Sequence, residues 1–260
     1  MAVTDNSASL ASLVELLQGV EQRELFLEYQ AVFDIGTGAV CGAEALVRWD
    51  HPDRGVLPPS EFLAMAMRGG LGGLITDLVL EEAVAQCAEW RVRGFDIPVS
   101  VNVSAAEFAG ADLPGTVDRV LTRYDVPPDR LTVEITEHAC TFENTQLRET
   151  FTALARMGVR LSLDDFGMGE SSLSRLQQLH FDEVKIDRSF VSHVCNEPTD
   201  RNIVVFITRL AHSLGMKVVA EGVETAEVLS VLTELGPDLA QGYHLHRPST
   251  PSEFPTPGSG

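Results

Sequence analysis

Six strand-like segments of this chain each carry a side chain suited to metal binding or acid–base work, close to where the strand hands over to a helix. They hold Glu44, Asn102, Glu134, the adjacent pair Asp164-Asp165, Lys185 and Glu221. If the segments lie side by side and parallel, their C-terminal ends share one rim. Carboxylates crowded there cannot all stay ionised without cations to balance them. Oxygen-only donors suit hard divalent ions, so the set reads as the centre of a metal-dependent enzyme. Adjacent residues of a strand point to opposite faces, but at a strand end the backbone can turn. Asp164 and Asp165 then reach one site, where one carboxylate bridges two metals. Lys185 reads as a cation that orients a water or stabilises developing charge, against the plainer reading of a barrel-interior salt bridge. Arg48, four residues after Glu44, offers a fork that suits phosphate; a surface arginine or a partner for Asp50 is the alternative.

The elements that must position these residues alternate. A helical face runs over Leu10–Val20, after a loose stretch at 1–9. Leu25–Phe33 and Val40–Trp49 form an antiparallel hairpin about the turn Asp34–Gly38. Ser60 is expected to cap the next helix, and a longer helix covers 71–93. Strands at 97–104, 131–136, 159–166, 181–187, 217–223 and 239–245 alternate with helices near 112–124, 143–157, 167–179, 200–214 and 225–235. Within the strands, valines and isoleucines alternate with Asn102, Glu134, Lys185 and Asp187, so the polar face points into a barrel. The helix with Ile203, Phe206, Ile207, Leu210 and Leu214 reads as core-facing, with a dimer surface as the lesser reading. His244 and His246 share one face of the last strand as polar rim residues. Alternation over this length predicts an α/β fold with a parallel sheet closed into a modified (β/α)8 TIM-type barrel carrying one antiparallel strand. The expected division is a partly helical lead segment at 1–19, one catalytic domain at 20–249 and a disordered tail at 250–260.

Composition bounds the partners. The chain has 260 residues, 38 acidic against 19 basic, and a formal net charge of -19. That charge argues against a nucleic-acid polymer and against an anionic membrane surface. The cysteines Cys41, Cys87, Cys140 and Cys195 form no CxxC pair. The N-terminus shows no signal peptide and no membrane span, so a cytoplasmic location is expected.

Taken together, the chain resembles the EAL domain family of bacterial cyclic-di-GMP phosphodiesterases. The stretches that carry the resemblance are Glu44-Ala45-Leu46-Val47-Arg48-Trp49, Val101-Asn102-Val103-Ser104, Glu134-Ile135-Thr136-Glu137, Asp164-Asp165-Phe166-Gly167, Lys185-Ile186-Asp187, Ala220–Thr225 and Gln241-Gly242-Tyr243. The resemblance implies metal-dependent hydrolysis of cyclic-di-GMP to linear pGpG with two Mg2+ or Mn2+ ions, Ca2+ being inhibitory. It implies that Glu44, Asn102, Glu134 and Asp164 hold one ion, and that Asp164, Asp165 and Glu221 hold the other. Lys185 would contact the attacking water. Gln30 and Arg48 would face the substrate, and Gln241 would support the water network. Glu137 would brace the loop after Asp165, a role tied to homodimerisation, while Asp187 and Glu224 would act behind the ligands or beside the guanine. Some members of the family have lost activity and serve as cyclic-di-GMP receptors or interaction modules. These typically lack a metal ligand, and this chain keeps them all. Four positions depart from the pattern: Ala31 stands where proline is usual, Met67 where an acid is common, and Met168 and Glu170 fall in the loop after Asp165. Glu170 adds a negative charge near an acidic rim, so weaker substrate binding or slower loop closure is the expectation, against the plainer reading of a carboxylate that faces solvent or caps the following helix.

Overall fold

The computed structural model describes residues 3–110, 112–137, 145–167 and 179–255, with side chains from residue 12 onward. Its strands are β1 (Leu25–Asp34), β2 (Val40–His51), β3 (Gly55–Leu57), β4 (Val99–Asn102), β5 (Leu131–Thr136), β6 (Arg160–Phe166), β7 (Glu183–Ile186), β8 (Lys217–Ala220) and β9 (Leu239–Ala240). Its helices are α1 (Val3–Glu21), α2 (Pro59–Arg68), α3 (Gly72–Val92), α4 (Ala105–Gly110), α5 (Leu113–Tyr124), α6 (Thr145–Met157), α7 (Arg188–Val191), α8 (Pro198–Ser213) and α9 (Ala226–Leu235).

The sheet order is β1-β9-β8-β7-β6-β5-β4-β2, and the β1–β2 pairing closes it, so eight strands form a barrel with β3 appended to β2. β1 runs antiparallel to both of its neighbours, and every other pairing around the barrel is parallel. The alternation explains the layering. Val99, Val101, Leu131, Val133 and Ile135 are buried in the apolar shell between strands and helices. Their neighbours Ser100, Asn102, Thr132 and Glu134 point inward. Helix ends follow local chemistry. Asp112 caps α5 by accepting from the Gly115 amide at 3.1 Å, and Thr225 caps α9 by accepting from the Val228 amide at 3.2 Å. Gly236 ends α9 in the left-handed region at φ 93. No helix among the described residues is long and apolar enough to cross a membrane.

Several expectations are corrected. α1 begins at Val3 instead of Leu10, since neither glycine nor proline interrupts the chain before Gly19. Ser60 is not the cap of α2; Pro58 takes that place without a side-chain bond, because Pro59 has no N–H to satisfy and a φ already suited to the first helical position. β3, α4 and α7 were not anticipated. In α8 the buried face is Val204, Ile207, Thr208 and Ala211, while Phe206 is 59% exposed and Leu214 38%. Thr208 tolerates that burial because its hydroxyl donates to the Val204 carbonyl at 2.8 Å. The last strand stops at Ala240, because Gly242 passes the Val223 backbone so closely that a Cβ would lie 2.2 Å from its carbonyl oxygen. His244 therefore lies in an exposed turn and shares no strand face with His246. The helix expected at 167–179 falls almost wholly outside the described residues, as do Cys140, Met168 and Glu170.

The segment 250–255, expected to be disordered, is packed. Ser249 exchanges backbone hydrogen bonds with Tyr29, and Phe254 is 4% exposed, its ring centroid 4.8 Å from that of Trp90. Trp90 meets Tyr29 edge-on at 5.0 Å, so this aromatic cluster fastens the end of the chain to α3 and β1. Phe254→Ala should cost about 3 kcal/mol, read as a lowered denaturation midpoint with an unchanged slope. An unaltered midpoint would mean that the tail contributes nothing to the fold.

Candidate active site

Register places the chemistry at one level of the barrel. Asn102 pairs with Glu134, Thr136 with Asp164, and Glu44 lies between Gln30 on β1 and Ser100 on β4. Between β6 and β7 the register slips from Leu163 to Phe166, and Asp165 adopts φ 55. Aspartate tolerates this left-handed backbone better than most residues, at a cost of about 1–3 kcal/mol. The slip turns both neighbouring carboxylates to one side. Oxygens of Asp164, Asp165 and Glu221 all lie within 4.8 Å of one another.

Lys185 sits beneath them, 2% exposed. Its Nζ lies 2.7 Å from Glu221 Oε1, 2.8 Å from Glu134 Oε2, 3.3 Å from Glu44 Oε2 and 3.6 Å from Asp164 Oδ1. Glu44 is further held by Asn102 Nδ2, donating to Oε1 at 2.8 Å, and by Gln241 Nε2, donating to Oε2 at 2.6 Å. Gln241 Nε2 also donates to Gln30 Oε1 at 3.0 Å, and Gln30 Nε2 donates to the His246 carbonyl at 3.0 Å. Ala31, where proline is usual, donates its N–H to His246 Nδ1 at 3.2 Å, a bond that proline cannot make. This peg between β1 and the segment after β9 was not legible from the sequence.

One ammonium cannot neutralise this many carboxylates. Burial penalises the Glu44 charge, yet Lys185, Gln241 and Asn102 outweigh it and hold that carboxyl below its usual range. Burial and the neighbouring acids push Glu134 well above the usual range and Glu221 up to about 8. Burial, then Asp164 and Asp187, raise Asp165 to about 6. For Lys185 the four carboxylates outweigh burial and keep the ammonium strongly protonated. Asp164 Oδ1 is buried and has no hydrogen-bond partner. An orphaned carboxylate oxygen, excess negative charge and an all-oxygen donor set fit hard divalent cations.

The remaining expected residues are placed as follows. Arg48 is paired with Glu28 across the β1–β2 hairpin at 2.7 Å, and Asp50 is not its partner. Glu137 is 2% exposed and accepts from the Gly167 amide at 2.9 Å, tying the end of β5 to the chain just after Asp165. Asp187 does not extend the Lys185 strand face; it caps α7, accepting from the Ser189 amide at 2.9 Å, because β7 ends at Ile186. Two clefts flank the acidic centre. A largely apolar one of about 610 Å³ is lined by Leu46, Pro59, Leu63, Met67, Asn102, Asp164 and Asp165, among others. A smaller, polar one of about 160 Å³ is lined by Gln30, Glu44, Arg188, Glu221, Glu224, Gln241 and Tyr243, with neighbouring glycines. Arg188 carried no signal that singled it out in the sequence, and Tyr243 stood only as the end of the Gln241-Gly242-Tyr243 stretch.

Comparison with known proteins decides the family. The EAL domain model matches residues 13–248. The chain belongs to the EAL domain family. It is 40% identical over 240 residues to the bifunctional diguanylate cyclase/cyclic di-GMP phosphodiesterase MucR of Pseudomonas aeruginosa, covering 92% of this chain and 35% of MucR. It is 33% identical over 247 residues to the cyclic di-GMP phosphodiesterase RocR of the same organism, covering 95% of this chain and 63% of RocR. The solved PaMucR phosphodiesterase in complex with c-di-GMP superimposes with a TM-score of 0.88 at 38% identity, covering 95% of this chain and 98% of that one. The chain spans about a third of the length of MucR and of the signaling protein YkoW of Bacillus subtilis, 35% and 30% respectively. This EAL domain therefore corresponds to one portion of such relatives.

Two expectations follow from the buried charge. Lys185→Met should destabilise the metal-free domain by about 3–5 kcal/mol, because it strands the carboxylates without a cation; denaturant melts in chelator measure this. The raised Asp165 and Glu221 set a pH trend. Their folded forms hold protons that the unfolded chain releases in the ordinary carboxylate range, so their contribution to stability is full in acid and is lost as pH rises through about 6 and about 8. The chelated domain should therefore melt lower at pH 8 than at pH 5, and Mn2+ should flatten the difference. A chelated melting temperature that rises over that interval would contradict the assignment.

Proposed function

We propose that this EAL domain hydrolyses cyclic-di-GMP to linear pGpG using two divalent ions, Mg2+ or Mn2+. The observation that carries the reading is the buried Lys185 ammonium ringed by Glu44, Glu134, Asp164 and Glu221 between two clefts. Family membership and relatives named as cyclic di-GMP phosphodiesterases support the substrate. Glu44, Asn102, Glu134 and Asp164 would hold one ion; Asp164, Asp165 and Glu221 would hold the other. When bound, the ions would lower the pKa of a water and neutralise charge on the phosphate oxygens.

The chain's own groups do the rest. Lys185 keeps its proton and donates from Nζ to the attacking water, aligning it with the phosphorus. As the new oxygen–phosphorus bond forms, the water gives up a proton to solvent, the bond to the opposite 3′ oxygen breaks, and that oxygen takes a proton from solvent. The ring opens to one 5′-phosphate and one 3′-hydroxyl. Arg48, its fork steadied by Glu28, and Gln30 would contact the substrate's polar edge. Gln241 holds Glu44 and Gln30 in register. Glu224, in the polar cleft, would accept from a guanine N–H, and Asp187 would steady Asp165 from behind. Glu137 braces the chain at Gly167, and homodimerisation of the domain in the cytoplasm is part of the same proposal.

Incubation with cyclic-di-GMP and Mn2+, with products separated by chromatography, tests the reading. Turnover should vanish in excess EDTA and return with Mg2+ or Mn2+, whereas Ca2+ should inhibit, because its larger, looser coordination disturbs the site. Glu44→Ala or Asp164→Ala should nearly abolish turnover. Lys185→Ala should lower kcat by about 10²-fold or more with substrate binding largely kept. Hydrolysis undiminished by chelator would sink the two-metal mechanism, and binding without any turnover would assign the receptor role instead.

A further inference from the structure

We propose that Glu183 is a positioning residue for Lys185, a counter-charge set below the ammonium that stays with it when the carboxylates above are engaged with metal. The inference rests on the reading of those carboxylates as metal ligands. All four acids that touch Lys185 Nζ belong to the expected ligand set. An oxygen shared with a divalent ion offers less to the lysine, so loading the site weakens the lysine's hold as it fills.

Glu183 lies outside that competition. It stands two residues before Lys185 on β7, and alternate residues of a strand share a face, so both point into the barrel. It is buried at 7% exposure, with Ser162 Oγ donating to Oε1 at 3.0 Å and Arg160 Nη2 no closer than 4.0 Å to Oε2. Glu183, Lys185, Glu134 and Thr132, together with Arg160 and Lys217, line a common cavity of about 50 Å³ at the barrel floor, room for about one or two waters. Ions at the rim cannot draw on a carboxylate one layer below. Burial holds the Glu183 carboxyl above its usual range, against the opposing pull of Arg160, Lys185, Ser162 and Lys217. Glutamine would keep the shape and the Ser162 bond and remove the charge.

The test compares wild type, Glu183→Gln, Glu183→Ala, Arg160→Met, Lys185→Met and the Glu183→Gln/Lys185→Met double variant. Mn2+ titration calorimetry and melts in chelator are the readouts, with kinetics on the variants that keep Lys185. Glu183→Gln should leave the chelated melting temperature at or slightly above wild type. It should weaken Mn2+ binding by about tenfold, in line with losses of groups that support metal ligands. The lysine, without the negative charge below it, then competes harder for the shared oxygens. kcat should fall while KM holds, and Glu183→Ala should match Glu183→Gln in Mn2+ affinity. In the Lys185→Met background the substitution should add nothing. Unchanged Mn2+ affinity in Glu183→Gln would overturn the inference. So would an equal loss in the Lys185→Met background, or a loss reproduced by Arg160→Met, which would mark a purely structural pairing. Wild-type protein that binds no Mn2+ would overturn the metal reading itself, a result separate from any of these.

Discussion

A single ammonium inside the barrel makes the rest of this structure possible. A parallel barrel that turns Glu44, Glu134, Asp164 and Glu221 toward one axis would repel itself apart in a medium of low dielectric. Lys185, within 3.6 Å of all four, holds the metal-free centre together. Its own burial is tolerable only because of them. The neutral amides fit the same logic. Asn102 and Gln241 each turn an N–H toward Glu44, so the carboxyl held below its usual range also has two amide donors. Polarity inside the barrel is thus sorted by layer, with a rim of shared acids, one lysine at their centre, and Ser162, Thr132 and Glu183 beneath.

The cost of convergence falls on the backbone of β6. Two adjacent aspartates serve one site only if the strand abandons its alternation, and the register slip with φ 55 at Asp165 does this. Glu137 takes up the Gly167 amide immediately afterwards and anchors the turn there. Asp187 completes the arrangement from the other side. Its carboxylate caps a short helix and also raises the Asp165 pKa, so one side chain links the fold of α7 to the electrostatics of the site.

Much of this was legible in the sequence because period-two alternation and strand-end chemistry are local. The inward face of LTVEIT, the hairpin turn after Phe33 and the one antiparallel strand all follow from spacing. Misreadings arose where a distant backbone or side chain set the outcome. His244 left its expected strand because Gly242 must clear Val223. Asp187 became a helix cap because β7 stops one residue earlier. Phe206 was assigned to the core when Thr208, its hydroxyl satisfied within the helix, takes that place. Phe254 falls in the tail expected to be disordered, and the rings of Trp90 and His246 give it somewhere to go. Arg48 found Glu28, twenty residues earlier, because the hairpin register puts Arg48 opposite Phe26 and so sets Glu28 diagonally across from it on the same face. Ala31 shows the same effect at a departure from the family pattern, since its N–H has value only opposite His246.

The reversed first strand has a mechanical outcome. Because β1 runs against its neighbours, its first residue Leu25 lies opposite Trp49, at the far end of β2 from the hairpin turn. The helix that precedes it therefore abuts the same strand that carries Glu44. Clearance there is nil: a methyl group on Gly19 would come within 2.7 Å of Trp49 Nε1, which itself donates to Glu24 Oε2 at 2.9 Å. Leu16 is fully enclosed one turn earlier. α1 and β2 are thus geared without backlash, and a slide or roll of the helix has no soft side chain in which to dissipate before it reaches the strand five residues from Glu44.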